Sequence, residues 1–459
     1  MFTTYKLNIF LNKAFFLILL ILISCRKESV FKYTSKPQVI VNGKDSRFVN
    51  TQVHFVKDTV YVIASDIIIK AGNSFTIDAG TLIKVNSGPI TITIEAGGKI
   101  EAKGTSTEPI VFTVNAPKGR AGANYNWGGI RIYGNASVKN SGTLSFVRIE
   151  FAGSIDYSDV LLFSDVRDET TINNIQISYS KSTPSFNFSG GNCNAFNLVS
   201  YLSSGTDFIL QKGYKGKLQN LLAYRYPSYA NKNSFLASNG TLPYFVPVYN
   251  DYLAGMFIGD SGTMPSISNL SVIGPDTTYT LNSIYTQGPP NERAALITGT
   301  GCKFYIANSL FFGSASKGYG KGFFLDNLNT AKALNFGQST FTHSIMFHAD
   351  TANIFYIEQG TYPSYTAEDF KSFMLQPQFN NKLLFKASEA MFSDELYHYY
   401  GSAPNPFPNP GSPLLIGAAF IGPFADSFFK PVSNIGALGT EDWLKGWVNF
   451  IPLQTDYNY

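Results

Sequence analysis

The sequence is short of the residues from which most metal and redox sites are built. It contains three cysteines and four histidines, and no HxH, HExxH or CxxC spacing brings them together. We therefore expect no transition-metal site and no cofactor. Charged residues make up only 14% of the chain, and the net charge of +4 is spread without a basic run beyond the N-terminal region. This distribution does not indicate a basic surface that would bind nucleic acid.

The first 24 residues have the pattern of a bacterial lipoprotein signal peptide. Lys6 and Lys13 give a positively charged start, and the apolar run that follows is short for a membrane span. The run ends in the sequence LISC (22–25), which resembles a lipobox. The resemblance implies that Cys25 is acylated and becomes the first residue of the mature protein. The alternative is an uncleaved membrane anchor with an incidental cysteine.

Lipidation of Cys25 would make outer-membrane lipid a partner of the N-terminus, because each buried methylene adds about 0.8 kcal/mol. Arg26 follows the cysteine where Asp would signal retention in the inner membrane, so we expect an outer-membrane address. Lys27 and Glu28 only partly match the export signal of Bacteroidetes surface lipoproteins, which leaves periplasmic and cell-surface orientations open. Residues 25–38 are expected to form a polar tether.

Short alternating apolar segments follow one another from Asp66 onward. The segments IIIK, FTID, TLIKV, ITITI, GKIEA and PIVFT are separated by turns such as KAGNS, DAG and EAGG. Strands this short, joined by turns this tight, favour a coil in which each strand stacks on the one below. The sequence therefore predicts an all-β fold, a right-handed parallel β-helix over residues 39–348. Residues 39–56 are expected to cover its first coil.

Later segments repeat at longer spacing. Ile175, Leu198 and Leu221 follow one another at steps of 23 residues, a plausible length for one full coil. Asparagines recur near the starts of these segments and predict a structural ladder of side-chain amides inside a turn. They are Asn174, Asn197, Asn220, Asn269 and Asn308.

Two stretches are too long for coil turns, and the C-terminal region has a different character. Residues 224–265 and 275–300 read as inserted loops. In residues 349–459, Thr366 followed by Asp369 fits the N-cap of a short amphipathic helix. A proline-rich run and a glycine-punctuated end follow it. We expect this region to cap the far end of the coil.

Cys193 and Cys302 each open a strand-like segment. Several coils separate them, at about 4.8 Å per coil, whereas a disulfide needs Cα atoms within about 7 Å. We predict two buried free thiols.

Three stretches together resemble a known group of proteins. They are GTLIKV with EAGGKIEAKGTSTEPIVFT, NWGGIRIYGNA with LSFVRIEFAG, and GSPLLIGAAF with NIGALGTEDWLKGWVNFIP. They resemble Bacteroidetes secreted or lipid-anchored right-handed β-helix proteins of largely uncharacterised function, over about residues 60–155 and 410–452. The resemblance implies fold and export, and it carries over no catalytic residue. This chain departs from the group at Tyr125 and Asn126, where relatives tend to have Gly-Asp.

Charged residues near the strands suggest two kinds of carbohydrate chemistry. A hydrolase needs two carboxylates across a groove, and a lyase needs a basic residue beside a cation. Arg131 and Arg148 are the lyase candidates because they stand on consecutive coils, although a surface salt-bridge ladder with Glu150 explains them as well. The acidic candidates, which equally fit a solvated turn, are Glu150, Asp156, Asp159, Asp165, Asp168 and Glu169. His343 and His348 lie on opposite strand faces and should not share a metal.

Binding without chemistry is the interpretation we favour. Aromatic side chains in the first insertion offer stacking faces for sugar rings or contact area for a protein. The candidates are Tyr224, Tyr226, Tyr229, Tyr244, Tyr249 and Tyr252. We predict a monomeric, lipid-anchored outer-membrane protein that binds a polysaccharide or a surface protein and has no catalytic residues. The alternative is a polysaccharide-degrading β-helix enzyme, either a lyase or a glycoside hydrolase.

Overall fold

The computed structural model describes residues 36–44, 52–117, 121, 125–153, 159–181, 184–203, 205–225, 254–274, 294–314, 321–348, 351–357, 365–396 and 403–457. Pro37–Thr455 form one compact unit. Within these ranges no helix is both long enough and apolar enough to span a membrane. The predicted signal peptide and Cys25 lie outside the described residues.

The described strands pair in parallel and form two long sheets. The ten-stranded sheet runs in the order β4 (Ile67–Ile69), β7 (Thr91–Ile94), β10 (Gly129–Tyr133), β12 (Leu161–Ser164), β14 (Phe186–Ser189), β16 (Phe208–Gln211), β18 (Ala254–Ile258), β20 (Ala294–Thr298), β23 (Lys321–Leu325) and β26 (Phe355–Ile357). Each coil adds one strand to this sheet. The predicted parallel β-helix is therefore confirmed.

The seventeen-stranded sheet is bent along its length into two columns. The first column contains β2 (Val53–Phe55), β5 (Ser74–Ile77), β8 (Lys99–Lys103), β21 (Tyr305–Ala307) and β24 (Thr340–Thr342). The second contains β1 (Gln38–Val41), β3 (Val60–Ile63), β6 (Leu82–Asn86), β9 (Ile110–Asn115), β22 (Leu310–Ser314), β25 (Ile345–His348) and β27 (Lys382–Leu384). Five longer strands belong to both columns: β11 (Gly142–Glu150), β13 (Thr171–Ser178), β15 (Ala195–Tyr201), β17 (Lys217–Tyr224) and β19 (Ser266–Ile273).

In each of the five longer strands the bend is made by one residue with a left-handed backbone. In β11, residues 142–145 pair with β8 and residues 147–149 pair with β9, and Phe146 between them has a φ of 52°. Asparagine occupies this position in later coils because it tolerates positive φ better than most residues. The five predicted asparagines all have φ between 52° and 58°. The Asn220 side chain donates to the Asn197 side chain at 3.0 Å, which confirms the amide ladder at this step.

Alternate residues of each strand point inward and fill the core. Ile175, Leu198 and Leu221 are paired in register and fully buried, which confirms the 23-residue coil. Aromatic rings also stack from coil to coil, as in Phe163 and Phe188, whose centroids are 5.1 Å apart. Like side chains repeat at the spacing of the strands, so each coil extends the same core.

The Trp127-Gly128-Gly129 sequence fixes a corner of the coil. Trp127 is fully buried and its indole N–H donates to the backbone oxygen of Glu150 at 3.0 Å. A Cβ on Gly129 would lie 2.4 Å from the backbone oxygen of Val160, and its φ is +104°. Only glycine fits such a close approach with this backbone.

The predicted insertions contain regular strands. Residues 224–265 include β18, and residues 275–300 include β20. Both strands, AGMFI and AALIT, lack alternation between apolar and polar residues, so the pattern did not distinguish them from loops. Residues 226–253 and 275–293 lie outside the described part of the chain.

The end of the chain differs from the expected cap. Helix α1 (Leu328–Asn335) lies between β23 and β24, and α2 (Ala367–Met374) has the predicted Thr366–Asp369 capping box. Phe370 of α2 packs on Phe355 of β26 at 5.2 Å, so this helix covers the last coil. Residues 403–455 do not continue that cover. They run back along the flank of the coil, as their contacts with Gln176 and Asn308 show.

Both described cysteines are buried and free, as predicted. Burial raises the pKa of the Cys302 thiol to about 12, against hydrogen bonds that lower it. Burial raises the pKa of Cys193 further still. Neither thiol is therefore a reactive group in the folded protein.

Candidate functional site

One outward-facing residue from each strand forms a continuous row on the ten-stranded sheet, which we call the outer row. Alternation along each strand separates this row from the buried inward residues, as Arg131 lies between the buried Ile130 and Ile132. Ten strands at about 4.8 Å give it a length of roughly 43 Å. Its members, in register, are Ile68, Thr93, Arg131, Leu162, Asn187, Ile209, Phe257, Ile297, Phe324 and Tyr356.

A cleft lies beside the row at the N-terminal end. It has a volume of about 390 Å³, and its lining includes Ser65, Asp66, Thr91 and Arg131. The Asp66 carboxylate accepts a hydrogen bond from the backbone N–H of Thr91 at 2.7 Å, which holds it at the cleft wall. The cleft therefore presents a guanidinium and a carboxylate together, and these groups can bind hydroxyls or a ligand carboxylate.

Amide side chains form the middle of the row. The Asn187 amide donates to the Asp159 carboxylate at 2.6 Å, and the Gln211 amide donates to the Asn187 oxygen at 3.2 Å. Gln211 lies next to the row and is half-buried. Asn187 and Asp159 are 6% and 4% exposed, so they orient the Gln211 amide, which is the group of this chain that can face a ligand.

Aromatic side chains form the C-terminal end. Phe257 and Tyr356 are half-buried, and the Phe324 and Tyr356 rings are 5.2 Å apart. The Lys321 ammonium lies 4.1 Å from the centre of the Tyr356 ring. A cation at this distance is attracted to the ring face and holds the ring in place. The C-terminal end of the outer row therefore has apolar ring surface, whereas the N-terminal end has charged groups.

The outward face of the second column is covered by other parts of the chain. Tyr201 and Tyr224 are fully buried there, and the ring of Phe450 packs 4.8 Å from the ring of Tyr201. The Tyr224 hydroxyl donates to the backbone oxygen of Leu396. The predicted stacking role of Tyr224 is therefore wrong, because its ring belongs to this covered layer. The other five candidate tyrosines, from Tyr226 to Tyr252, lie outside the described residues.

The two arginines considered for a lyase lie on different sheets. Arg131 belongs to the ten-stranded sheet, whereas Arg148 faces the covered side of the second column. Arg148 lies beside Glu150, with Nε 3.8 Å from the carboxylate, and the Glu150 side chain is fully buried. The pair is therefore internal, and the surface ladder expected from alternation is wrong because residues of the C-terminal region cover this face.

The remaining acidic candidates do not converge. Asp165, Asp168 and Glu169 are exposed in turns around β12 and β13, and Asp159 is tied to Asn187. Asp156 lies outside the described residues. Where side chains are described, no group of three or more His, Cys, Asp or Glu residues could hold a metal ion.

A family model for the pectate-lyase-like β-helix domain matches residues 47–374. The chain belongs to this pectate-lyase-like β-helix family. The match includes the whole outer row, and it ends before the C-terminal segment that covers the second column. No match was found among curated proteins, and none was found among solved structures. Family membership accounts for the coil and does not decide between binding and catalysis.

Part of the outer row could have been identified from the alternation within its strands. The prediction instead placed the binding residues in the tyrosine-rich insertion. In each of the segments IRIY, FNFS and FILQ, the second residue lies between two apolar residues and its side chain points away from the core. Reading those positions strand by strand gives Arg131, Asn187 and Ile209. The aromatic end was hidden because β18 and β20 lie inside stretches that read as insertions.

Proposed function

We propose that the protein is a lipid-anchored cell-envelope protein that binds a glycan or a protein ligand without chemical turnover. The observation that carries the proposal is the outer row, a face roughly 43 Å long that changes from a charged cleft to the half-buried rings of Phe257 and Tyr356. Among the described residues, the C-terminal region covers the other long outward face, whereas seven of the ten side chains of the outer row are at least partly exposed.

The chemistry of the row favours an extended saccharide among these ligands. Aromatic rings such as Phe257 and Tyr356 stack on the apolar faces of sugar rings. The half-buried Gln211 amide can both donate to and accept from hydroxyl groups. Because the row follows the axis of the coil, a linear chain could contact both ends at once, and many weak contacts would add to one useful affinity.

Binding of the mature protein to a panel of soluble polysaccharides tests this proposal. The double variant Phe257→Ala/Tyr356→Ala should weaken binding about tenfold or more, since truncation of an aromatic at the centre of a contact costs about 1–2 kcal/mol. Phe385→Ala is the matched control because Phe385 is 70% exposed and lies off the row. Equal losses in both variants, or none in the double variant, would contradict the assignment of the row.

The lipid anchor rests on the lipobox and has a separate test. Cys25→Ser should move the protein from the membrane fraction to the soluble fraction, because acyl chains could no longer attach. Unchanged fractionation would refute lipidation of Cys25. Protease accessibility on intact cells then separates a cell-surface from a periplasmic orientation.

A polysaccharide lyase is the second candidate, and the Arg131 cleft favours it. An arginine beside a carboxylate can neutralise an acidic sugar or remove a proton, and the family description refers to pectate lyase. If the cleft is catalytic, the mature protein releases unsaturated products from an acidic polysaccharide, and Arg131→Ala abolishes the release. Binding that persists without any product supports the first proposal.

A further inference from the structure

Residues 403–455, which we call the strap, contact coils far apart along the solenoid. At one end the backbone N–H of Ala419 donates to the Asn308 side chain at 2.8 Å. At the other end a Cβ on Gly446 would lie 2.6 Å from the backbone oxygen of Ser106. The second-column strands between these points are β9, β11, β13, β15, β17, β19 and β22. Six steps at about 4.8 Å place the ends roughly 29 Å apart.

Glutamine side chains hold the strap by binding both polar groups of one backbone residue. The Gln176 amide donates to the backbone oxygen of Asn449 at 2.7 Å, and its oxygen accepts from the Asn449 N–H at 2.7 Å. Gln219 repeats this pattern on Lys430, with both bonds at 2.8 Å. In each case a side-chain amide takes the place of a neighbouring strand.

Asn308 makes a third contact of the same kind. Its amide donates to the backbone oxygen of Ala419 at 3.0 Å and its oxygen accepts from the N–H of the same residue. Asn269 adds donation to the backbone oxygen of Asn434 at 2.9 Å. The coil therefore recognises the strap backbone at four separate levels.

These contacts are buried. Gln176 and Asn308 are 0% exposed and Gln219 is 3% exposed. Loss of one amide would leave a strap N–H and a C=O without that partner away from water, at about 1–3 kcal/mol for each unsatisfied group. Apolar packing supports the same interface, since Phe450 packs on Tyr201 and Trp447 packs against Phe146 at 6.0 Å.

A plain solenoid has contacts only between neighbouring coils, so its ends can open without its centre. The strap adds contacts between coils that are not neighbours. We infer that the strap joins the coils from β9 to β22 into one cooperative unit, so that none of them opens without release of the strap. This inference concerns the scaffold and is independent of the proposed binding function.

Hydrogen exchange of the intact mature protein, followed by mass spectrometry of peptides, tests the inference. If the strap couples the coils, the slowest amides of β11, β13, β15, β17 and β19 share one opening free energy, and their protection factors agree within about tenfold. If the coils act as a plain solenoid, protection falls steadily from the centre of the coil toward its ends. That gradient in the wild type would overturn the inference.

A double variant tests the role of the amides directly. In Gln176→Leu/Gln219→Leu, protection of the slowest amides in the coils from β11 to β22 should fall together by at least tenfold, because coils that open as one unit share the loss of the strap contacts. Gln338→Leu is the matched control because Gln338 is exposed outside the strap interface. Losses confined to β13 and β17, or no loss in any coil, would show that the coupling does not pass through the strap. If the variant does not fold, the wild-type profile alone decides.

Discussion

A buried ion pair at a corner of the coil predicts how stability depends on pH. Asp207 and Arg225 are each 1% exposed, with 2.8 Å between the carboxylate and the guanidinium. The Ser200 hydroxyl also donates to the carboxylate, at 2.5 Å. Burial raises the pKa of Asp207 to about 7, although the Arg225 charge and the Ser200 hydrogen bond both lower it. The unfolded chain should have an Asp pKa of about 3.9.

The raised pKa determines the sign of the effect. Between about pH 4 and pH 7 the folded protein keeps the Asp207 proton, whereas the unfolded chain releases it. The contribution of Asp207 to the free energy of unfolding is therefore complete below its pKa in the unfolded chain. It is lost as the pH rises through about 7, the pKa in the folded protein. Three pH units at about 1.36 kcal/mol each give a loss of roughly 4 kcal/mol at most.

Urea unfolding of the mature protein at a series of pH values measures this loss. Asn at position 207 carries no proton to titrate, so Asp207→Asn should remove the slope between pH 4 and 7, whatever its effect on absolute stability. Asp168→Asn, at an exposed turn position, should keep the wild-type slope. The reasoning is refuted if the free energy of unfolding changes over this interval by the same amount in the wild type and in Asp207→Asn. Burial of His343 lowers its pKa, an effect of opposite sign that both variants retain.

The remaining predictions concern the scaffold. Gly129→Ala should lower the free energy of unfolding by more than about 2 kcal/mol, because its Cβ would meet the backbone oxygen of Val160 and its φ is +104°; a smaller loss in urea unfolding would mean that the corner relaxes. Asn220→Ala should cost about 1–2 kcal/mol through the bond to Asn197 and the left-handed backbone, and an unchanged midpoint would argue against the ladder. Cys193 and Cys302 should react with a thiol reagent only after unfolding; rapid labelling of the native protein would contradict their burial.

The repeat could be predicted from the sequence because it depends on patterns within short segments of neighbouring residues. Alternation within three to five residues separates inward from outward side chains, and the 23-residue step from Ile175 to Leu198 sets the coil. The asparagine ladder could be predicted for the same reason, since Asn197 and Asn220 occupy equivalent positions in coils of equal length. Such signals need only the order of neighbouring residues.

The strap and the aromatic end of the outer row could not be predicted in this way. Gln176 and Asn449 are 273 positions apart, and no local pattern records that one binds the other. Tyr224 was expected in a loop because aromatic residues follow it, yet the strap covers its face of the coil. In β20 the outward residue, Ile297, is apolar and only 4% exposed. The strand therefore shows no alternation between apolar and polar residues, and the sequence predicts it as part of an insertion.

The central claim is that the outer row binds a ligand without converting it. The most direct test measures polysaccharide binding and product release in the same sample, with wild type beside Phe257→Ala/Tyr356→Ala. The account predicts binding by the wild type, at least tenfold weaker binding by the variant, and no change in the size of the polysaccharide. Release of shortened or unsaturated chains by the wild type, or equal binding by both proteins, would contradict it.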